Sequence, residues 1–261
     1  MRRLSDKFIN DLLNGELSFF LNEANTNPNI CLEIRNGYIN LYYKGGNALK
    51  ITESKSGYSF HFDSKYCKNK VVETDYSFYE ALNKRDANAF EVVFPNILSE
   101  MDSWFEVHKK TERDFQQKLV KSNTENLSIV DIEYAGRKSN GKQFRLDMLG
   151  IYKDKLIIFE NKFGNGAISG ASGICKHYND IVDIISDQGI KTEMIRTVQS
   201  IIDQKNKLGY IKGSSSKVVI KDIEIWFLFV NYKVNSKALK NEINKIHKSV
   251  PVRTSRKKYT T

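Results

Sequence analysis

The stretch Phe144–Lys162, FRLDMLGIYKDKLIIFENK, decides the fold. In a β-strand, successive side chains point to opposite faces. The second half of the stretch, Lys155–Phe163, is mainly apolar on both faces, which indicates a central strand covered on both sides. One of these faces nevertheless ends in Glu160 and Lys162, and Asp147 lies inside the preceding apolar run. The stretch therefore predicts two neighbouring buried strands that carry three charged residues.

Regular elements are predicted on both sides of this stretch. Upstream, residues 98–121 show one long helical pattern, and Leu127–Tyr134 is a further strand. Downstream, the pattern predicts a helix over about 173–185, a helix over 192–208, a strongly apolar strand at Ile223–Tyr232 and a short helix over 237–247. The second half of the chain therefore reads as helix, three strands, helical segments and a strand.

The first hundred residues form a different pattern. Two short helical patterns, Leu4–Leu13 and Glu16–Ala24, precede a change to period two. Four β-rich runs follow, separated by turn residues such as Asn36-Gly37: they are Ile30–Arg35, Tyr38–Tyr43, Ala48–Thr52 and Tyr58–Phe62. Residues 77–83 show a helical pattern. The segment therefore predicts a small module of helices and an antiparallel meander.

The charged residues of the central stretch suggest metal chemistry. A buried carboxylate without a partner is costly and tends to protonate. A divalent cation between Asp147 and Glu160 would avoid that cost, and Mg²⁺ prefers such hard oxygen ligands. The alternative is a purely structural role, in which Glu160 and Lys162 form a buried ion pair and Asp147 caps a strand end. Buried pairs of this kind contribute little net stability, which favours the functional interpretation.

The pattern Asp147…Glu160-Asn161-Lys162 resembles the D…(D/E)xK signature of the PD-(D/E)XK, or restriction-endonuclease-like, nuclease superfamily. The resemblance implies that Asp147 and Glu160 bind Mg²⁺, with Mn²⁺ as a substitute, and that Lys162 assists phosphodiester hydrolysis. It also implies a third catalytic and metal-binding carboxylate on the preceding helix, for which Glu112 is the candidate. The Gln-x-x-x-Tyr element of some subfamilies is absent, since Ile174 stands four residues before Tyr178.

These patterns together predict an α+β or α/β fold. A restriction-endonuclease-like αβββαβ core with a mixed central sheet is expected over residues 98–247. A small N-terminal accessory domain of helices and an antiparallel meander is expected over residues 1–97, and a basic tail over 248–261. The tail is read most simply as a solvated, partly disordered end.

Several basic residues are candidates for binding nucleic acid. Lys176 and His177 lie in the predicted helix over 173–185. His177 falls on the same helical face as three isoleucines, so it is either a residue at the edge of the core or part of the site. In the tail, Arg256, Lys257 and Lys258 would add affinity for phosphates that is independent of sequence.

Charge, cysteine content and hydropathy limit the classes of protein to which the chain can belong. The 261 residues carry a net charge of +10, of which −1 falls in residues 1–100, +5 in 101–243 and +6 in 244–261. Three scattered cysteines are typical of a reducing compartment, so a cytoplasmic protein is expected. No apolar run is long enough to span a membrane, and no membrane partner is expected.

The expected function is therefore that of a Mg²⁺-dependent nuclease that acts on DNA rather than RNA. By analogy, restriction, repair or anti-phage defence would suit it. The alternative is a catalytically inactive nucleic-acid-binding or scaffold protein that keeps the fold. A homodimer, or a protein partner bound by the N-terminal domain, is a further expectation.

Overall fold

The computed structural model describes residues 1–63, 65–66, 86–108, 111–124, 127–164, 168–211, 219–232, 236–246 and 249–257. The chain divides into two compact units. The N-terminal unit comprises Arg2–Asn123 and Ser200–Lys212, and the C-terminal unit comprises Met1, Thr124–Gln199 and Gly213–Thr261. The first unit thus extends past the boundary expected at residue 97, because the next two helices and a later segment pack with it.

The N-terminal unit contains four helices and a four-stranded antiparallel sheet among its described residues. In chain order these are α1 (Asp6–Asn14), α2 (Ser18–Thr26), β1 (Ile30–Ile34), β2 (Tyr38–Tyr43), β3 (Gly46–Ser54), β4 (Gly57–His61), α3 (Ala87–Val107) and α4 (Thr111–Lys121). The strand order is β1-β2-β3-β4, which confirms the predicted meander. Gly37 makes the β1–β2 turn with φ +75°, a value that glycine tolerates best. The helix predicted over 77–83 lies outside the described residues.

The core of the N-terminal unit forms where the amphipathic helices meet one another and the sheet. The Ser5 side chain caps α1 by accepting a hydrogen bond from the Phe8 N–H, and Phe8 and Leu12 are fully buried. Residues of α2, α3 and the four strands complete this core; its members include Phe20, Phe90, Phe94, Leu32, Leu41 and Ile51.

The single helix predicted over 98–121 is wrong. The structure has two helices there, α3 ending at Val107 and α4 beginning at Thr111. His108 has φ −117° and ψ 61°, which is outside the helical region. The helical periodicity of the sequence continues on both sides, so no change in pattern indicates the break.

The C-terminal unit contains the central stretch. Its elements are β5 (Leu127–Arg137), β6 (Gln143–Tyr152), β7 (Lys155–Phe163), a short 3₁₀ turn (Gly170–Ser172), α5 (Ile174–Ser186), the start of α6 (Gln188–Lys207), β8 (Asp222–Val230), α7 (Lys237–Asn244) and β9 (Val252–Lys257). The strand order is β5-β6-β7-β8-β9, antiparallel as far as β7 and parallel from β7 to β9. In its described residues the chain is therefore α+β, with a mixed five-stranded sheet, a four-stranded antiparallel sheet and seven helices.

The interpretation of the C-terminal end as a disordered tail is wrong for residues 252–257. These residues form β9, which pairs with β8 from Ile225 opposite Val252 to Val230 opposite Lys257. Arg253 holds the strand in place: its guanidinium lies 5.3 Å from the Trp226 ring centre, and its Nε lies 3.1 Å from Glu224. The aliphatic and planar parts of arginine pack well on aromatic rings, so a basic sequence adds a strand at the edge of the sheet.

No helix among the described residues combines the length and the apolar character that crossing a bilayer requires.

Candidate active site at the ends of β6 and β7

Asp147 and Glu160 lie where β6 and β7 separate. The paired residues of these strands end with Met148 opposite Phe159, so Asp147 and Glu160 are the next residues outward on their strands. The main-chain N–H of Asn161 donates a hydrogen bond to Asp147 Oδ2 at 2.8 Å. The Asp147 carboxylate thus accepts the hydrogen bond that a main-chain carbonyl of β6 would accept in a continuous strand pair. It therefore lies against β7, next to Glu160.

Glu160 is the centre of a buried ionic cluster. Its side chain is 7% exposed, and Lys162 on the same strand is 5% exposed. Lys162 Nζ donates to Glu160 Oε1 at 2.9 Å and to the Ser172 carbonyl oxygen at 3.1 Å. His177 Nδ1 lies 2.6 Å from the same Glu160 oxygen. Two cationic or cation-forming groups therefore converge on one carboxylate oxygen.

These partners keep Glu160 ionised. Burial alone raises the pKa of a carboxyl group, because the charged form loses its hydration. The hydrogen bond from His177 and the charge of Lys162 outweigh that effect, so the pKa of Glu160 lies below its ordinary value. At neutral pH the site therefore holds a buried carboxylate anion on a largely apolar strand.

The packing of α5 determines the position of His177. Ile174, Ile181 and Ile184 share one face of the helix and are buried, which fixes that face toward the sheet. His177 lies at the edge of this stripe with its side chain 34% exposed. His177 is thus a core-edge residue that contacts Glu160, and its role in a site stays a prediction.

A pocket of about 190 Å³ opens beside this cluster. Glu160 and His177 line it from the sheet and from α5. Its other lining residues come from the β5–β6 hairpin and from α5: Lys138, Lys142, Gln143, Phe144, Arg145, Leu146, Lys176, Asp180, Ile181 and Ile184. Four lysine or arginine residues and His177 therefore surround a site whose acidic members are Glu160 and Asp180.

The other predicted binding residues are placed as follows. Lys176 lines the pocket and pairs with Asp180 one turn later on α5. Arg256 and Lys257 belong to β9, and Lys258 lies outside the described residues. Of the predicted basic residues, Lys176 and His177 thus line the pocket.

Glu112 lies in the first turn of α4, within the N-terminal unit. Across the part of the chain that the structure describes, no three or more His, Cys, Asp or Glu side chains are grouped so that they could hold a metal ion. The metal-binding role expected for Glu112 therefore stays a prediction, and the pair Asp147 and Glu160 carries the site.

The sequence analysis missed the basic hairpin. Lys138, Lys142 and Arg145 flank the turn at Asn140-Gly141, and all three line the pocket. A signal was present, because Asn-Gly marks a tight turn and three cations within eight residues surround it. The turn would have placed these charges at the same end of β6 as Asp147.

Comparison of the chain with protein-family models, with curated proteins and with solved structures found no match.

Proposed function

We propose that this protein is a metal-dependent nuclease of the PD-(D/E)XK type that hydrolyses phosphodiester bonds of nucleic acid, with DNA as the expected substrate. The observation that carries the proposal is the ionised Glu160 held by Lys162 and His177, next to Asp147, at the mouth of a basic pocket. The mixed sheet β5-β6-β7-β8, with α5 and α6 between β7 and β8 in the chain, supports the proposal.

In this proposal, Asp147 and Glu160 would hold a magnesium ion. Mg²⁺ takes one or two protein carboxylates together with waters and phosphate oxygens. Asp147 is anchored by the N–H of Asn161, the residue that follows Glu160, so both carboxylates belong to the same end of the sheet. Bound there, Mg²⁺ or Mn²⁺ would lower the pKa of a coordinated water and offset negative charge on the phosphate.

Lys162 is positioned to stabilise the phosphate that reacts. An ammonium group has three N–H donors, and the Lys162 Nζ directs donors to Glu160 and to the Ser172 carbonyl oxygen. The third N–H can be donated to a phosphoryl oxygen or to the attacking water. Fixed donors that face developing negative charge lower the barrier, because they need no reorganisation during the reaction.

His177 is positioned to accept a proton. Because Glu160 is ionised, the 2.6 Å contact requires His177 Nδ1 to carry the hydrogen. In the neutral ring the other nitrogen, Nε2, is then an acceptor. With a third of the side chain exposed, His177 can take a proton from a water molecule in the pocket and act as a general base.

The decisive experiment is hydrolysis of DNA and RNA with Mg²⁺, Mn²⁺ or a chelator. Wild-type protein should cleave only with metal, and Glu160→Gln and Lys162→Met should each lose about 10²-fold or more. Glu224→Gln is a matched control, since Glu224 is a buried glutamate of the same sheet that pairs with Lys155. Thermal unfolding would verify that each variant folds. Equal activity in all four proteins would exclude the mechanism.

Asp147→Asn separates a structural role from a chemical one. The amide oxygen of asparagine can still accept the hydrogen bond from Asn161, so the end of the sheet should remain intact. The negative charge that a metal ion needs is lost, so cleavage should fall while the unfolding temperature changes little. An Asp147→Asn variant as active as wild type would show that Asp147 only caps the strand.

A non-catalytic nucleic-acid-binding protein is the second candidate. One observation favours it: Glu160 has a cationic partner, Lys162, and a hydrogen-bond donor, His177, so its charge is balanced without a metal ion. This candidate predicts that the wild-type protein binds nucleic acid without turnover. It also predicts equal binding by wild type and Glu160→Gln.

A further inference from the structure

The β5–β6 hairpin is a well-formed projection beside the candidate active site. The N–H of Lys138 donates to the Lys142 carbonyl oxygen at 2.9 Å, and the Gly141 N–H donates to the Lys138 carbonyl oxygen at 2.8 Å. The Lys142 N–H is bonded to the Asn140 side chain at 3.0 Å. Gly141 has φ +80°, which glycine adopts without strain. The turn is therefore held by several bonds, and it presents its side chains from a fixed backbone.

The hairpin forms one wall of the pocket, and α5 forms the other. Lys138 pairs with Asp183 of α5, which ties the hairpin to the helix. Lys142 and Arg145 line the pocket as well. The Arg145 side chain is 63% exposed, and its nearest carboxylate, Glu133, lies 3.6 Å away. Arg145 therefore keeps much of its guanidinium in contact with solvent and accessible to a ligand.

The spacing of these cations suits a chain of phosphates. Strand residues advance about 3.3 Å each, so Arg145 lies roughly 7 Å and Lys142 roughly 17 Å along β6 from Asp147. One strand of a DNA duplex carries a phosphate about every 3.4 Å along the axis. Neighbouring phosphates lie farther apart than this along the winding backbone, so Arg145 and Lys142 can each contact a different phosphate of one strand. A small anion would need only one of these positions, whereas a polymer can use both.

We infer that the β5–β6 hairpin is the surface that holds the phosphate backbone of a nucleic-acid substrate, with Arg145 closest to the reacting phosphate and Lys142 farther along the same strand. This inference rests on the proposed nuclease function, because it takes Asp147 of β6 and Glu160 of β7 as the point of reaction. It assigns substrate contacts to residues outside the signature Asp147…Glu160-Asn161-Lys162.

The test is the salt dependence of binding, measured without divalent metal so that no cleavage occurs. The affinity of a short fluorescent DNA duplex is measured by anisotropy over a range of salt concentrations. Each phosphate contact that is lost reduces the log–log slope by about 0.9 for duplex DNA. The double variant Lys142→Gln/Arg145→Gln should therefore lower the slope by about 1.8. Between roughly 50 and 200 mM salt, wild type should then lose about 12-fold more affinity than the variant.

Two controls separate a local contact from a change in net charge. Lys153→Gln/Lys221→Gln removes the same charge near the other end of β6, at the turn where Lys221 pairs with Asp154. This variant should keep the wild-type slope. Arg145→Lys keeps the charge at the hairpin and should also keep the slope. A reduction that is equal in the two double variants, or absent from both, would overturn the inference.

Cleavage and binding together distinguish the failure of this inference from the failure of the proposed function. If wild type does not cleave with any metal but the slope still depends on the hairpin, the nuclease proposal fails and the binding surface stands. If wild type cleaves and Glu160→Gln does not, while the salt-dependence slope is the same in wild type and in the hairpin double variant, the nuclease proposal stands. The proposed binding surface is then refuted. The same titration with single-stranded DNA and with RNA identifies the preferred polymer.

Discussion

Replacing Lys205 with methionine should strongly destabilise the N-terminal unit. Lys205 of α6 and Glu33 of β1 form an ion pair in which both side chains are 0% exposed, with Nζ 3.0 Å from Oε1. The methionine side chain has a similar length and no charge. It would leave the Glu33 carboxylate in the core without its closest cationic contact at Oε1.

The magnitude follows from the burial of the pair. Removing one partner of a fully buried ion pair costs about 3–5 kcal/mol, because the remaining charge is uncompensated. Arg35 Nη1 lies 3.5 Å from the other Glu33 oxygen and compensates part of the charge. We therefore expect a loss near the lower end, about 3 kcal/mol. The double variant Glu33→Gln/Lys205→Met should cost less than the sum of the two single variants, since it leaves no buried carboxylate.

Urea unfolding of the N-terminal unit would measure this loss. The chain has two tryptophans; Trp104 belongs to the N-terminal unit and Trp226 to the C-terminal unit. In a Trp226→Phe background, Trp104 fluorescence therefore reports on the unit that contains Lys205 and Glu33.

The matched control is a second lysine-to-methionine change. Lys118 pairs with Asp114 on α4 and is 46% exposed, and exposed helix pairs of this spacing contribute about 0.3–0.5 kcal/mol. Lys118→Met should therefore cost far less than Lys205→Met. Equal losses in the two variants would refute the reasoning that burial makes the Lys205 pair critical.

Three further predictions concern the C-terminal unit. Burial raises the pKa of Glu224, but the hydrogen bond from Lys155 and other contacts outweigh it, and the pKa lies below its usual value. Its stabilising contribution is therefore complete above the ordinary carboxyl pKa and is lost as pH falls through the lowered value, so Glu224→Gln should weaken the acid dependence of unfolding. Arg253→Ala should loosen β9, which faster tryptic cleavage near the C-terminus would detect. Gly150→Ala would place a methyl group 3.0 Å from the Ser128 carbonyl oxygen, and this crowding should cost about 1–3 kcal/mol in urea unfolding.

Controls for these three predictions come from the same unit. Glu193→Gln changes a glutamate that is 67% exposed and should leave the acid dependence unchanged. Lys221→Ala removes an exposed cation outside β9 and should leave tryptic cleavage near the C-terminus unchanged. Gly141→Asn places a residue that tolerates positive φ at an open turn, so it should cost less than Gly150→Ala.

Local patterns predicted much of the fold. The meander β1–β4 and the strands β5–β8 follow from alternating or continuous apolar residues separated by turns, and both signals act over a few residues. Two features were mispredicted. β9 depends on pairing with β8 and on Arg253 packing against Trp226, and neither interaction is visible in a basic sequence. The break between α3 and α4 includes His108, whose non-helical backbone conformation no residue pattern indicated.

The candidate site was predictable to the extent that it is local. Glu160 and Lys162 are two residues apart on one strand, so their contact follows from strand geometry. The contact of His177 with Glu160 depends on how α5 packs on the sheet, which periodicity does not determine. The Lys205–Glu33 pair joins residues 172 positions apart, and nothing local to either residue indicates it.

The separation of β6 and β7 explains why charged residues can end such an apolar strand. Up to Phe159, β7 has a paired neighbour on each side, and its side chains from Leu156 onward are buried and apolar. Beyond that residue β6 no longer pairs with it, and a main-chain N–H that would otherwise lack an acceptor is satisfied by Asp147. The same departure opens space for the pocket beside Glu160. The carboxylate that completes the hydrogen bonding of the sheet therefore lies beside Glu160, which lines the pocket, so sheet geometry and site chemistry constrain neighbouring residues. A site built this way needs little support from loops, since its first carboxylate is fixed by backbone hydrogen bonding and its second by a lysine on its own strand.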